Sequence, residues 1–226
     1  MENLKKTDHK TDRETLNISD LMKDTLQDKV MGIFGKSGSG KSTAIKKILN
    51  SNVINKNKII IYITPVSTPD DLYNFTYKAN NVDSIMSGFD KIKNGESFLI
   101  DIANEKVLQI VLMYCMIKQN CLIFADDIDG YISKNNDRLI HLLTYHRHKK
   151  ISFVYVTRRP QSLPNLLITN THMALVFKFT DPTTLETVSK NFPNDTGNTK
   201  DIISGLDYTK FQCYIYSQNF NEVGGF

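Results

Sequence analysis

One run, Gly35-Lys36-Ser37-Gly38-Ser39-Gly40-Lys41-Ser42-Thr43, constrains this chain more than any other stretch. It satisfies G-x-x-x-x-G-K-[ST] without a departure, a pattern whose glycines let successive backbone N–H groups turn inward around an anion. The concavity leads onto the positive end of the following helix. Gly35 to Thr43 are therefore expected to hold the phosphates of ATP. Lys41 would reach the β- and γ-phosphates as a point charge, and the Ser42 hydroxyl would meet a bridging Mg²⁺. The flanks agree: Val30 to Phe34 is an apolar run that reads as a strand, and Ser42 to Asn50 carries Ala44, Ile45, Ile48 and Leu49 at helical spacing. A glycine-rich turn that binds nothing is the alternative, and it requires both motif and setting to be coincidental.

Downstream, Lys58 to Thr64 is β-branched and apolar on both faces, as in a strand inside a parallel sheet. Val66 to Glu96 is mixed and polar, and reads as two short helices. Ser97 to Ile102 is a further strand, followed by a helix from Asn104 to about Gln119 that is apolar around much of its circumference. Asn136 to His148 reads as a helix, Ile151 to Val156 as a strand closed by Pro160, Met173 to Phe179 as a strand, Asp181 to Asn191 as a helix, and Phe211 to Tyr216 as a closing strand. Alternation of this kind implies an α/β fold with a mostly parallel central sheet and helices on both faces. Two segments are expected: a polar arm over 1–29, with a weakly amphipathic stretch around Leu16, Ile18, Leu21, Met22 and Leu26, and one nucleotide-binding domain over 30–226.

The strand Cys121-Leu-Ile-Phe-Ala ends in Asp126-Asp127, where a parallel sheet delivers side chains to a crevice. Asp126 is a candidate for the Mg²⁺ shell, and Asp127 for orienting and deprotonating an attacking water; Asp129 is the fallback acid. Alternatively, both acids only cap the segment that follows. Thr157-Arg158-Arg159-Pro160 emerges beside them. The run His146-Arg147-His148-Lys149-Lys150 has the composition of a solvated helix end, and its His-x-His lacks the partner cysteines of a zinc site.

A net charge of +4 is compatible with a nucleic-acid partner without arguing for one. The three cysteines, Cys115, Cys121 and Cys213, lie in apolar stretches without C-x-x-C spacing, so reduced, buried thiols are expected. A polar N-terminus and the absence of a long apolar run predict neither secretion nor a membrane span.

The P-loop, the Asp126-Asp127 strand and the segment from Arg147 through Ile151-Ser-Phe-Val-Tyr-Val-Thr-Arg-Arg-Pro160 and Leu163-Pro164 together resemble the FtsK–HerA superfamily of DNA-pumping ATPases. Within it the chain is similar to the compact genome-packaging ATPases of membrane-containing, tectivirus-like viruses. The resemblance implies a RecA-like P-loop NTPase that forms a homo-oligomeric ring, by expectation a hexamer. Such a ring would use ATP and Mg²⁺ to move double-stranded DNA, in host cytoplasm or at the packaging vertex of a virion. Capsid or portal proteins are the partners expected for the 1–29 arm. It further implies that Arg147 acts as an arginine finger in trans, with Arg138 as second choice, and that the γ-phosphate is sensed in this segment, by Thr157 through a hydrogen bond or by Arg158 through its charge. Loops within Tyr77 to Lys93 are candidates for gripping DNA. Two departures stand out: the family usually carries Asp-Glu where this chain has Asp126-Asp127, and many members carry Gln at the position of Arg158. A small-molecule kinase, or a nucleotide-gated switch with slow hydrolysis, is the alternative reading.

Overall fold

The computed structural model describes residues 27–51, 57–65, 72–217 and 220–224. The polar arm and its amphipathic stretch therefore lie outside the described residues as far as position 26. Among the described residues nine strands form one sheet: β1 (Val30–Phe34), β2 (Ile59–Ile63), β3 (Tyr77–Ala79), β4 (Ser97–Ile100), β5 (Cys121–Ala125), β6 (Ser152–Thr157), β7 (Met173–Phe177), β8 (Cys213–Ser217) and β9 (Phe220–Gly224). Their order is β3-β4-β2-β5-β6-β1-β7-β8-β9. Pairings from β3 to β7 are parallel, and β8 and β9 add an antiparallel hairpin.

The central strands are buried along their whole length, and the alternation of their side chains divides the core in two. Val30 and Phe34 of β1 join Ile61, Ile123, Phe153 and Tyr155 on one face, whereas Met31 and Ile33 join Ile60, Leu122 and Val154 on the other. The second face takes the apolar side of α1 (Lys41–Asn50), namely Ala44, Ile45, Ile48 and Leu49, with Leu72 and Phe75. The first face takes α2 (Val82–Lys91), α3 (Glu105–Lys118), α4 (Asp137–Tyr145), α5 (Asn165–Thr169), α6 (Pro182–Asn191) and α7 (Thr199–Gly205). Helices cover both faces, but among the described residues α1 is the one helix on its side. Polar caps start α2, α3, α4 and α6: Asn81 accepts from the Ser84 amide at 2.9 Å, Asn104 from Val107 at 3.0 Å, Asn136 from Leu139 at 2.9 Å and Asp181 from Thr184 at 2.8 Å. Each such cap is worth about 1 kcal/mol.

Several boundaries differ from the sequence reading. The stretch expected to hold two helices contains, among its described residues, the edge strand β3 and one helix, α2. Tyr77 earns its place in β3 by packing edge-on against Phe98, with ring centroids 6.3 Å apart. The helix expected to reach His148 ends at Tyr145, because the carbonyl of His146 accepts the Ile151 amide and the chain turns into β6. The closing strand starts at Cys213 rather than Phe211, which sits in the left-handed region at φ 48°, and β9 was not anticipated.

At the N-terminal edge of the sheet the buried Lys58 ammonium donates to Asp28 Oδ1 at 2.7 Å, to the Lys150 carbonyl at 2.7 Å and to Ser152 Oγ at 3.1 Å. All three ammonium hydrogens thus find oxygens, which a buried cation requires. The contact ties the entries of β1, β2 and β6 together.

Candidate active site

β6 lies between β1 and β5, with Phe34 in register with Thr157 and Ala125 with Tyr155. The chain segments leaving these strands therefore emerge side by side at the carboxyl edge: the P-loop, Thr157-Arg158 and Asp126-Asp127. This is the edge where open α/β sheets bind ligands.

The P-loop backbone depends on two glycines in the left-handed region, Gly38 at φ 76° and Gly40 at φ 107°. At Gly40 a Cβ would also come within 2.7 Å of the Phe211 ring, so conformation and space both require glycine. Lys41 is buried and donates to the carbonyls of Gly35 and Lys36, each at 2.7 Å, folding its ammonium over the loop. Burial lowers its pKa, and the nearby Asp127 charge opposes that shift. Ser39 Oγ is buried without a hydrogen-bond partner, a polar atom that a phosphate oxygen would satisfy. Lys36 reaches away from the loop to Thr180 Oγ1 at 3.1 Å, while Ser37 and Ser42 are exposed and Thr43 is half-buried.

Asp126 and Asp127 have different surroundings. The Asp126 carboxylate accepts the Tyr62 hydroxyl at 2.9 Å and the Asp127 amide at 3.0 Å. Burial raises its pKa and the Asp127 charge adds to the shift, while the Tyr62 hydrogen bond opposes it. Asp127 takes left-handed backbone angles, φ 46° and ψ 41°. Both of its oxygens face one guanidinium: Arg158 Nε donates to Oδ1 at 2.9 Å, and a terminal nitrogen donates to Oδ2. Asp129 accepts the Thr157 hydroxyl at 2.8 Å and the Arg158 amide at 3.3 Å, so this acid holds the end of β6 in place.

The donor set suits Mg²⁺. Asp126 offers a hard oxygen whose charge is disfavoured by burial and by Asp127, a situation a cation relieves, and Ser42 stands in the first turn of α1. Among the described residues no group of three or more His, Cys, Asp or Glu could hold a metal.

The sequence profile described as Poxvirus A32 protein matches residues 15–212. The chain belongs to that family. None of the curated proteins compared matches the sequence. Among solved structures, the A32-family chain is similar to the genome packaging NTPase B204 from Sulfolobus turreted icosahedral virus 2 in complex with ATP-gammaS. Identity is 18%, 87% of this chain and 97% of that chain are covered, and the TM-score is 0.69. It is also similar to B204, the DNA-packaging ATPase from Sulfolobus Turreted Icosahedral Virus, at 17% identity, 88% and 98% coverage and a TM-score of 0.64. VirB4 of Thermoanaerobacter pseudethanolicus matches at 8% identity, 90% and 91% coverage and a TM-score of 0.62. These likenesses establish the fold as that of RecA-like P-loop ATPases.

Of the residues singled out in the sequence, the fold gathers Lys41, Asp126, Asp127, Thr157 and Arg158, with the loop from Gly35 to Thr43, at one edge. Arg147 stands elsewhere, beside His172 at the opposite end of the sheet. Thr157 is wholly buried and bonded to Asp129. Two members of the A32-family site were not anticipated. Tyr62 sits in an apolar strand where nothing marks its hydroxyl as useful, and Phe211 packs on Gly40 from a position far away in sequence.

Proposed function

We propose that this A32-family chain couples ATP hydrolysis to the movement of double-stranded viral DNA, as the packaging motor of a virus. The observation that carries the reading is the interleaving of β6 between the P-loop strand and the Asp126-Asp127 strand. It sets two acids and an arginine beside the phosphate loop, the equipment for activating water. In this reading the P-loop amides and Lys41 hold the β- and γ-phosphates, and Ser42 and Asp126 would hold Mg²⁺, which would supply charge neutralisation. Asp127 accepts the proton of the attacking water, and Thr157, fixed by Asp129, keeps the end of β6 in register beside it. Membership of the A32 family and the shared fold with packaging NTPases support DNA as the cargo.

A homo-oligomeric ring of six subunits belongs to the same proposal, because Arg147 lies too far from its own P-loop to serve it and would act on a neighbour's. Host cytoplasm or the packaging vertex is the proposed place of action, with capsid or portal proteins as partners of the 1–29 segment. No described helix is long and apolar enough to cross a membrane. The DNA grip is assigned to the region of β3 and α2, where Lys91 and Lys93 are exposed.

The test is steady-state ATPase rate against added duplex DNA. Stimulation that fades steeply with salt and is indifferent to sequence is expected of a motor gripping phosphates. A rate unmoved by DNA, with phosphate passing to a small acceptor, would replace this reading by a kinase; turnover that stays slow in both conditions would replace it by a nucleotide-gated switch.

A further inference from the structure

Two oppositely charged side chains from neighbouring strand ends, Asp127 and Arg158, meet in the folded protein. Asp127 is a short acid at the end of β5, and Arg158 a long base just beyond β6. Together they span the gap between the two strand ends with a two-pronged contact, Nε to Oδ1 at 2.9 Å and the terminal nitrogen to Oδ2. Neither end of the bridge floats. The Asp127 amide donates to Asp126 Oδ1 at 3.0 Å, while Asp129 takes the Arg158 amide at 3.3 Å and the Thr157 hydroxyl at 2.8 Å. The Arg159 amide returns to Thr157 Oγ1 at 2.9 Å. With both backbones anchored, the guanidinium fork sets the plane in which the Asp127 carboxylate lies.

We infer that Arg158 is the positioning residue for Asp127, and that the short acid and the long base work as one compensated pair. An aspartate alone has the chemistry to take a proton from water but sits one methylene nearer its own strand than a glutamate. Arg158 restores a defined orientation by reaching the remaining distance from β6. Each oxygen of the carboxylate retains a second lone pair, so the fork leaves Asp127 able to accept a hydrogen bond from water. The inference rests on the reading of Asp127 as the acid that handles water. The Arg158 side chain is 48% exposed, so breaking the pair leaves the fold standing and its effect is read in turnover.

The experiment is a double-mutant cycle on purified full-length protein, with kcat and the KM for ATP followed separately and circular dichroism checking each fold. Asp127→Asn comes first: full activity there would remove Asp127 from the chemistry and take the inference with it, an outcome distinct from those below. Arg158→Ala should lower kcat about 10- to 100-fold, the usual cost of losing an orienting partner, with KM changed by less than about threefold. Arg158→Lys keeps the charge but not the fork, and should stay impaired. Asp127→Glu alone crowds the guanidinium and should also lose rate. Joining Asp127→Glu to Arg158→Gln, which lengthens the acid and shortens its donor, should restore at least about tenfold over either single change. Simple multiplication of the two single effects, a change confined to KM, or full activity in Arg158→Lys would each overturn the pairing.

Discussion

Arg147 lies 2.5 Å from Nε2 of His172, and the other ring nitrogen of that histidine accepts the Val30 amide at 3.2 Å. The contact marks the N-terminal end of β1, whereas the P-loop leaves its C-terminal end, so about 16 Å of strand separates this arginine from its own phosphate site. A motor needs a cation that arrives only when a neighbouring subunit is correctly placed, and an exposed arginine on the far side of the domain meets that condition.

Arg147→Ala is accordingly expected to bind ATP normally and to lose roughly 10³-fold or more in hydrolysis, the scale on which trans arginines act. Lys41→Ala, which removes the loop's buried ammonium, should lose ATP binding or hydrolysis outright. Mixed assemblies of these two inactive proteins pair some intact P-loops with intact arginines, so partial ATPase activity should return. Assemblies shown to be mixed that stay inactive would return Arg147 to the role of a solvated turn residue.

Tyr62→Phe isolates the hydroxyl that supports Asp126. The ring keeps its packing on Phe75 and Phe124, at 5.8 and 6.0 Å between centroids, so the fold should survive. Removing a hydrogen bond that orients a metal ligand typically costs 10- to 100-fold in metal affinity or activity. The Mg²⁺ concentration for half-maximal turnover should rise by about tenfold; an unchanged Mg²⁺ titration would deny Asp126 its proposed place in the metal shell.

Acid should destabilise the fold through His172. Nδ1 of its ring accepts the Val30 amide, and burial first, then the charge of the adjacent Arg147, push its pKa down to about 4. The unfolded chain takes up that proton near pH 6.5 and the folded chain does not. Stability from this group is therefore fully present above pH 6.5 and lost as pH falls toward 4, by on the order of 2–3 kcal/mol. Urea midpoints measured at pH 7.5 and 5 should differ, and the difference should shrink in His172→Gln. Burial also lowers the pKa of the neighbouring His146, so a remainder of the same sign is expected.

Lys58→Met tests the node at the base of the sheet. It leaves the Lys150 carbonyl and Ser152 without their ammonium partner and Asp28 without its counter-ion, so unfolding free energy should fall by about 1–3 kcal/mol, with ATP affinity preserved. A variant as stable as the parent would mean that water replaces the ammonium fully.

What the linear order of residues determined was everything local. The loop from Gly35 to Thr43 is legible because phosphate binding by consecutive amides demands glycine at fixed spacing, and Asp126-Asp127 because a buried parallel strand can turn polar only where it ends. Helix starts at Asn104 and Asp181 were likewise readable from their caps. The tertiary structure decided which of these pieces meet. Insertion of β6 between β1 and β5 pairs β1 with a segment more than a hundred residues away, as when Val30 finds Phe153, and no local pattern encodes it. It set the Arg158 guanidinium against Asp127, brought the Tyr62 hydroxyl to Asp126, and carried Arg147 to the far end of the sheet. β3 escaped notice because a three-residue edge strand has almost no periodicity of its own and exists through its ladder with β4. Side-chain chemistry is a property of residues and can be read one by one, whereas the distances between functional groups are a property of packing and appear only when the sheet has formed.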